Sequence, residues 1–346
     1  MKVFKRTPAL IICALFLMSS ILIIVKIRDY TQQFKTEKNK IVSLLNFNER
    51  LLDVKEAIPL YGDWVWENKY KEYQYQLERA DDHYTSSFNW AAILIILNVL
   101  MLLLLFFIYA KSLPWFGVSM GLLTFSISML LTGVFTPLLE LEAYKNNLEI
   151  KIEVDAEAML KDVQSAVASI PFIGSTSSEY IGELLPGFKG ESYKWHKVYP
   201  DKMYFFYENK GLFDVLKTLW LSGNIPIAII VGLFSFVVPA FKLLFSFIIL
   251  LSPVKRLNKI RKVINYLTKF SMLDVMVVSI FLAFFTFDEL SSGVETSSAL
   301  LMGIYFFTSY VILAMISGVT IDKYYNQRLA QMKDVKLEVS NRARNK

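Results

Sequence analysis

Residues 90–110 read WAAILIILNVLMLLLLFFIYA, an apolar run interrupted only by Asn98 and without a single charged side chain. A helix needs about 20 such residues to cross the hydrocarbon of a bilayer, so this run reads as a membrane span. Five more stretches of the same kind lie outward from it, at 8–26, 114–138, 225–251, 271–288 and 298–320. The run at 271–288 is the shortest and carries an acid, Asp274. In lipid only helices or closed barrels satisfy the backbone, and these runs lack the alternation of barrel strands. The expected fold class is therefore an all-α polytopic membrane protein with six transmembrane helices. Of the 346 residues, 54% are hydrophobic, and the mean hydropathy is +0.41.

Lys2, Lys5 and Arg6 precede the first run, as in a secretory signal. The run ends in Lys26-Ile27-Arg28-Asp29 rather than in an A-x-A-like site, so a retained signal anchor is expected. The surround of Cys13 does not resemble a lipoprotein cleavage site either.

Charge then fixes the expected orientation. With the N-terminus inside, segments 1–7, 111–113, 252–270 and 321–346 face the cytoplasm and hold 17 Lys/Arg against three acids. The outer segments hold 19 bases and 27 acids. The short loop 252–270 alone carries Lys255, Arg256, Lys259, Arg261, Lys262 and Lys269 with no acid. Short basic loops beside the membrane stay on the cytoplasmic side, which predicts both termini inside. The pI of about 9.0 reflects this asymmetry and attraction to anionic inner-leaflet lipid. A basic balance of this origin gives no reason to expect nucleic-acid binding.

Cys13 is the only cysteine, and His83 and His196 are the only histidines. A metal site needs several convergent ligands, so neither a metal nor another cofactor is expected. No G-x-S-x-G or H-E-x-x-H motif and no paired-carboxylate motif argues for an enzyme.

The pattern divides the chain into three segments. Residues 1–110 form a transmembrane helical hairpin whose polar insert, 27–88, reads as two amphipathic helices (28–57 and 66–88) joined near Pro59-Leu60-Tyr61-Gly62. The insert is dense in aromatics, and the ordinary reading is helices packing on one another or on the second unit; the other is a docking surface. Residues 111–321 form a four-span module, and its outer part, 139–224, is a small α+β cap. Leu148–Val154 alternates with period two and predicts a strand; 156–169 reads as a helix, Lys202–Tyr207 as a second strand and 211–222 as a helix. Residues 322–346 form a basic cytoplasmic tail.

Charges at bilayer depth cost about 2.5–3.5 kcal/mol each even on lenient insertion scales. Lys242 lies nine residues from the end of its run, roughly 13 Å deep at the helical rise. Pro239, three residues earlier, predicts a kink that frees the Phe234–Ser235 carbonyls. Asp274 lies about one turn inside the next span, and a Lys–Asp pair across the two helices would offset both costs. Ser235 is seven residues before Lys242 and so shares its helix face. Thr132, Thr136, Thr308 and Ser309 are further candidates to line a polar cavity, although Ser and Thr also bond their own helix backbone in the ordinary way. The pair either fixes helix register or forms a titratable centre. Gly303 and Ser317-Gly318 suit close helix packing.

The stretch Phe206-Tyr207-Glu208-Asn209-Lys210-Gly211-Leu212-Phe213-Asp214 and on to Trp220 resembles the paraquat-inducible protein A family. So do Ser222-Gly223-Asn224, Leu233-Phe234-Ser235 with Pro239 and Lys242, and Lys269-Phe270-Ser271-Met272-Leu273-Asp274-Val275. The resemblance covers about 206–290, is weaker over 114–145 and 298–320, and is absent before residue 111. It implies an inner-membrane protein of a Gram-negative envelope that handles phospholipid with an MCE-domain partner. It also implies that the intramembrane polar residues are functional, here Ser235, Lys242 and Asp274, with Thr308 a looser match. Familiar members carry two such modules and cysteine-rich zinc ribbons; this chain has one module and no ribbon. A scaffold that binds an outer partner without transporting lipid is the alternative.

Overall fold

The structure is a computed structural model and describes residues 7–44, 59–111, 113–155, 192–251 and 295–344. In chain order the elements are α1 (Thr7–Leu44), α2 (Pro59–Tyr109), α3 (Pro114–Phe135), β1 (Pro137–Asp155), β2 (Ser192–Gly211) and α4 (Leu212–Leu221). They continue as α5 (Ile225–Gly232), a π-helical turn (Leu233–Val237), α6 (Val238–Leu251), β3 (Glu295–Leu300) and α7 (Met302–Arg344). Five described helices, counting 225–251 as one, are long and apolar enough to cross a membrane. They coincide with five of the six expected runs, and the run at 271–288 lies outside the described residues. The chain is a mostly helical, multi-pass membrane protein with a small sheet.

The two hairpin helices are far longer than a bilayer is thick. At the helical rise, α1 reaches about 57 Å, against roughly 30 Å of hydrocarbon. The apolar half of each packs into the bundle, and the polar half continues beyond it. Pro59 opens α2 rather than breaking it, as fits a residue whose missing N–H costs nothing in a first turn. The joint expected at 59–62 therefore does not interrupt α2.

Glycines set the closest helix approaches. A Cβ on Gly303 would come within 2.5 Å of the Pro137 carbonyl oxygen, and one on Gly133 within 2.9 Å of the Phe307 nitrogen. Gly133 lets α3 touch the backbone of α7, and Gly303 lets α7 touch the backbone where α3 passes into β1. Gly303 thus packs as expected, whereas a Cβ on Gly318 would meet nothing within 4 Å. Thr132 and Thr136 donate to the carbonyls of Ser128 and Thr132, both at 2.7 Å, so these two hydroxyls serve their own helix. Ser309 does the same toward Tyr305 at 2.8 Å.

The sheet has order β2-β1-β3, all antiparallel. Both expected strands are present and longer than the alternation alone marks. The register of β1 against β2 shifts at Asn146/Leu148, where Asn147 takes a positive φ of 48°, a left-handed conformation that asparagine tolerates. That bulge splits the alternation, so only 148–154 stands out in sequence. The third strand corrects two boundaries. Residues 298–300 belong to the sheet and not to the last span, and the cap comprises 295–300 as well as part of 139–224. The helix expected at 156–169 lies outside the described residues. The basic tail continues α7 as helix through Arg344.

Candidate functional site

The fourth apolar run is not a plain helix. Between α5 and α6 the backbone opens into a π turn over Leu233–Val237, with the Val238 N–H donating back five residues to the Leu233 carbonyl. Its physical cause sits next door. Pro239 lacks an N–H, and its ring would collide with the carbonyl of Ser235, so the chain widens ahead of it. The kink expected from Pro239 takes this form.

The turn and α6 together present one continuous buried face. Ser235, Pro239, Lys242, Ser246 and Ile249 repeat at intervals of four and three, and all are buried. Ser235 is 4% exposed and Lys242 only 7%. Phe241, Leu244 and Ile248 on the other side are apolar and exposed, as lipid-facing side chains should be. Lys242 therefore lies on the packed side of its helix, where α6 meets α3 and α7. Asp274, its expected partner, lies outside the described residues. Ser235 and Lys242 share the buried face of the fourth run, whereas Thr308 is exposed on α7.

A second polar cluster sits where the hairpin meets the sheet. Glu140 and Glu142 share one face of β1, a consequence of their spacing of two. Lys38, three helical turns beyond the first apolar run, places its Nζ 3.2 Å from Glu142 Oε1, with side chains 8% and 14% exposed. The ammonium also lies 4.3 Å from the ring centre of Tyr204 and 5.5 Å from that of Tyr207. The Tyr207 hydroxyl hydrogen-bonds the Glu140 carboxyl. Burial pushes the Glu140 carboxyl up to about 7, and the neighbouring Glu142 carboxylate adds to the rise. Burial works against the Lys38 ammonium, but Glu142, with Tyr204 and Glu140, more than offsets it, so Lys38 is held charged. Burial and then Glu140 raise the Tyr207 hydroxyl well above its usual range.

Sequence reasoning missed this cluster. The only signal is the Glu-Leu-Glu spacing just after a span, at the height to which α1 extends. Apolar contacts flank it: Ile41 and Tyr73 pack on Met203 and Tyr204, and Phe34 and Ala80 on Tyr207. The Tyr73 hydroxyl donates to the Lys202 carbonyl. The insert thus packs both on itself and on the second unit.

The cluster makes the junction sensitive to pH. The folded-state value of Glu140 lies above its ordinary 4.5, so its stabilising contribution is full below about 4.5 and is lost as pH rises through about 7. Above that, two carboxylates face the single Lys38 ammonium, with Tyr84, Tyr204 and Tyr207 as the other titratable neighbours. Hydrogen exchange over 31–41, corrected for its intrinsic pH dependence, is expected to be faster at pH 8 than at pH 6. Glu140→Gln is expected to remove the difference; equal pH dependence in wild type and variant would refute the assignment.

Residues 202–327 match the family described as paraquat-inducible protein A. The matched segment begins inside β2, contains Ser235, Pro239 and Lys242, and runs into α7. It excludes the whole N-terminal hairpin, as the resemblance anticipates, and it does not extend to 114–145, where a weaker resemblance is expected. No curated protein and no solved structure matches the chain.

Proposed function

We propose that this chain is an inner-membrane subunit of an envelope lipid transport system, handling phospholipid at the membrane together with an MCE-domain partner. The observation that carries the reading is the buried face of Ser235 and Lys242 at a π turn, inside the family-matched segment. A lysine at that depth is costly and persists where it has a partner or a task. A π turn inside a span opens backbone carbonyls and recurs at functional sites. Lys242 is the group suited to a lipid phosphate or a proton, with Asp274 as its counter-charge and Ser235 as a hydrogen-bonding neighbour. These residues suit binding and transfer, and the proposed role involves no enzymatic step.

The direct test purifies the full-length protein from its own membranes and identifies what accompanies it by mass spectrometry. The expected result is enrichment of phospholipid over bulk membrane composition, together with an MCE-domain protein. Recovery of neither would refute the reading.

The proposed orientation is N-in and C-in, with the sheet outside and 252–270 inside. Single cysteines in a Cys13→Ala background test it. Residues 202 and 145 are expected to label from outside intact cells and residue 259 only after permeabilisation; the reverse pattern would overturn the topology.

A further inference from the structure

A cavity of about 240 Å³ lies at the sheet end of the bundle, where the hairpin, the end of α3 and the start of α4 converge. Its wall includes Arg28 and Gln32 of α1, Phe135 of α3, Asn209 of β2, and Phe213 and Asp214 of α4. Three of its sides come from segments that the sequence does not connect locally, and the α1 side lies outside the family-matched segment.

The wall sets the depth of the cavity. Arg28 is two residues beyond the first apolar run, and Phe135 is the last residue of α3. Phe213 and Trp220, both about half exposed, stand seven residues apart on one face of α4. An exposed tryptophan just outside an apolar run marks the headgroup level of a bilayer, and Trp220 stands five residues ahead of the run at 225–251. The Arg28 guanidinium lies 6.0 Å from the Phe135 ring centre, which keeps it at that level.

Its chemistry is mixed in a specific way. One base and one acid line it, Arg28 and Asp214. Arginine presents a planar fork matched to a phosphate. Asp214 is held in place from behind: its Oδ2 accepts the Gly211 N–H at 3.1 Å and lies 3.7 Å from Lys35 Nζ. Lys35 itself donates to the Asn209 carbonyl at 2.9 Å. Asn209 and Thr31 are buried, at 1% and 6% exposure, and add polar floor. A purely anionic group would meet Arg28 but also Asp214; a zwitterion satisfies both.

We propose that this cavity binds the headgroup of a zwitterionic, amine-bearing phospholipid, with the phosphate on Arg28 and the ammonium on Asp214. Its acyl chains run down the apolar exterior beside Phe135 and Phe213. In the orientation proposed above, this is a lipid of the outer leaflet of that membrane. The assignment rests on the lipid-handling reading for its biological consequence, but the binding chemistry stands on the cavity alone.

The test is lipid retention by the full-length protein in nanodiscs, read by native mass spectrometry with phosphatidylethanolamine and phosphatidylglycerol as probes. Arg28→Gln is expected to weaken retention of both lipids at least tenfold, with Arg28→Lys retaining most of it. Asp214→Asn, which still caps α4, is expected to weaken phosphatidylethanolamine alone. Unchanged retention in Arg28→Gln, or equal loss of both lipids in Asp214→Asn, would overturn the proposal. Glycerophosphoethanolamine, which lacks acyl chains, is expected to bind much more weakly; equal retention would make the occupant a soluble phosphate ester and overturn the lipid assignment. If Arg28 and Asp214 behave as stated while lipid transfer is absent, the transport reading falls and this site stands.

Discussion

Lys38→Met is expected to cost roughly 3–5 kcal/mol and to undock the polar half of the hairpin from the sheet. Lys38 is the cation facing two buried carboxylates, Glu140 and Glu142, and its ion pair with Glu142 is almost wholly removed from water. Removing one partner of such a pair leaves the other charge without compensation, and that penalty exceeds anything the pair gained by forming. Methionine fills a similar volume, so the loss is electrostatic rather than a cavity. It also gives up the cation–ring contacts with Tyr204 and Tyr207. The check is thermal unfolding of the purified protein, with hydrogen exchange over 31–44 and 202–210 locating the change. Lys38→Met combined with Glu142→Leu is expected to recover most of the loss, because two apolar side chains then replace the pair. A single variant indistinguishable from wild type would show that the cluster does not hold the hairpin.

The other surface ion pairs near this junction carry far less. Lys40 lies 3.0 Å from Glu37 but is half exposed, and such pairs contribute at most about 1 kcal/mol. Glu37 itself is buried and also reaches Arg79 of α2 at 3.8 Å, which ties the two hairpin helices together above the bundle. The docked hairpin is therefore part of the architecture that shapes the sheet end, and not an appendage to the family-matched segment.

How far the sequence reveals this arrangement depends on which physical signal each part leaves. Spans leave a strong one, because crossing lipid takes about twenty predominantly apolar residues, and 90–110 or 225–251 can be read at sight. Pro239 is equally legible: its missing N–H predicts a defect, though not whether the chain kinks or widens. Strand β3 leaves almost none. Glu295-Thr296-Ser297-Ser298-Ala299-Leu300 has no alternating apolar face, and its end merges with the apolar start of α7. Pairing with Leu139–Tyr144 of β1 makes it a strand, and that partner is remote in sequence.

The polar sites divide in the same manner. Lys242 stands out because it is a charge inside an apolar run. Lys38 does not, because Lys35, Lys38 and Lys40 look alike in a helix dense with charges. Tertiary contact with β1 and β2 singles out Lys38, and no local pattern encodes that. Thr308 is named by its place in the last span and by a looser match to the family, and it is exposed on α7.

The second large effect concerns Lys242 itself and tests the central claim. Its burial on the face shared with Ser235 and Ser246 places the charge inside the module, where Asp274 on the next span is its proposed counterpart. A pair that serves only to hold helices together can be exchanged for apolar side chains at little cost, and the exchange is sometimes stabilising. A pair that binds a phosphate or moves a proton cannot. The deciding measurement is therefore the Lys242→Met/Asp274→Leu double variant, expressed with its partner and assayed for envelope barrier function after normal insertion and folding are verified. The expected result is a correctly folded protein that has lost at least tenfold of its activity and no longer retains enriched phospholipid. Full activity in that double variant would contradict a functional pair and leave the chain as a scaffold.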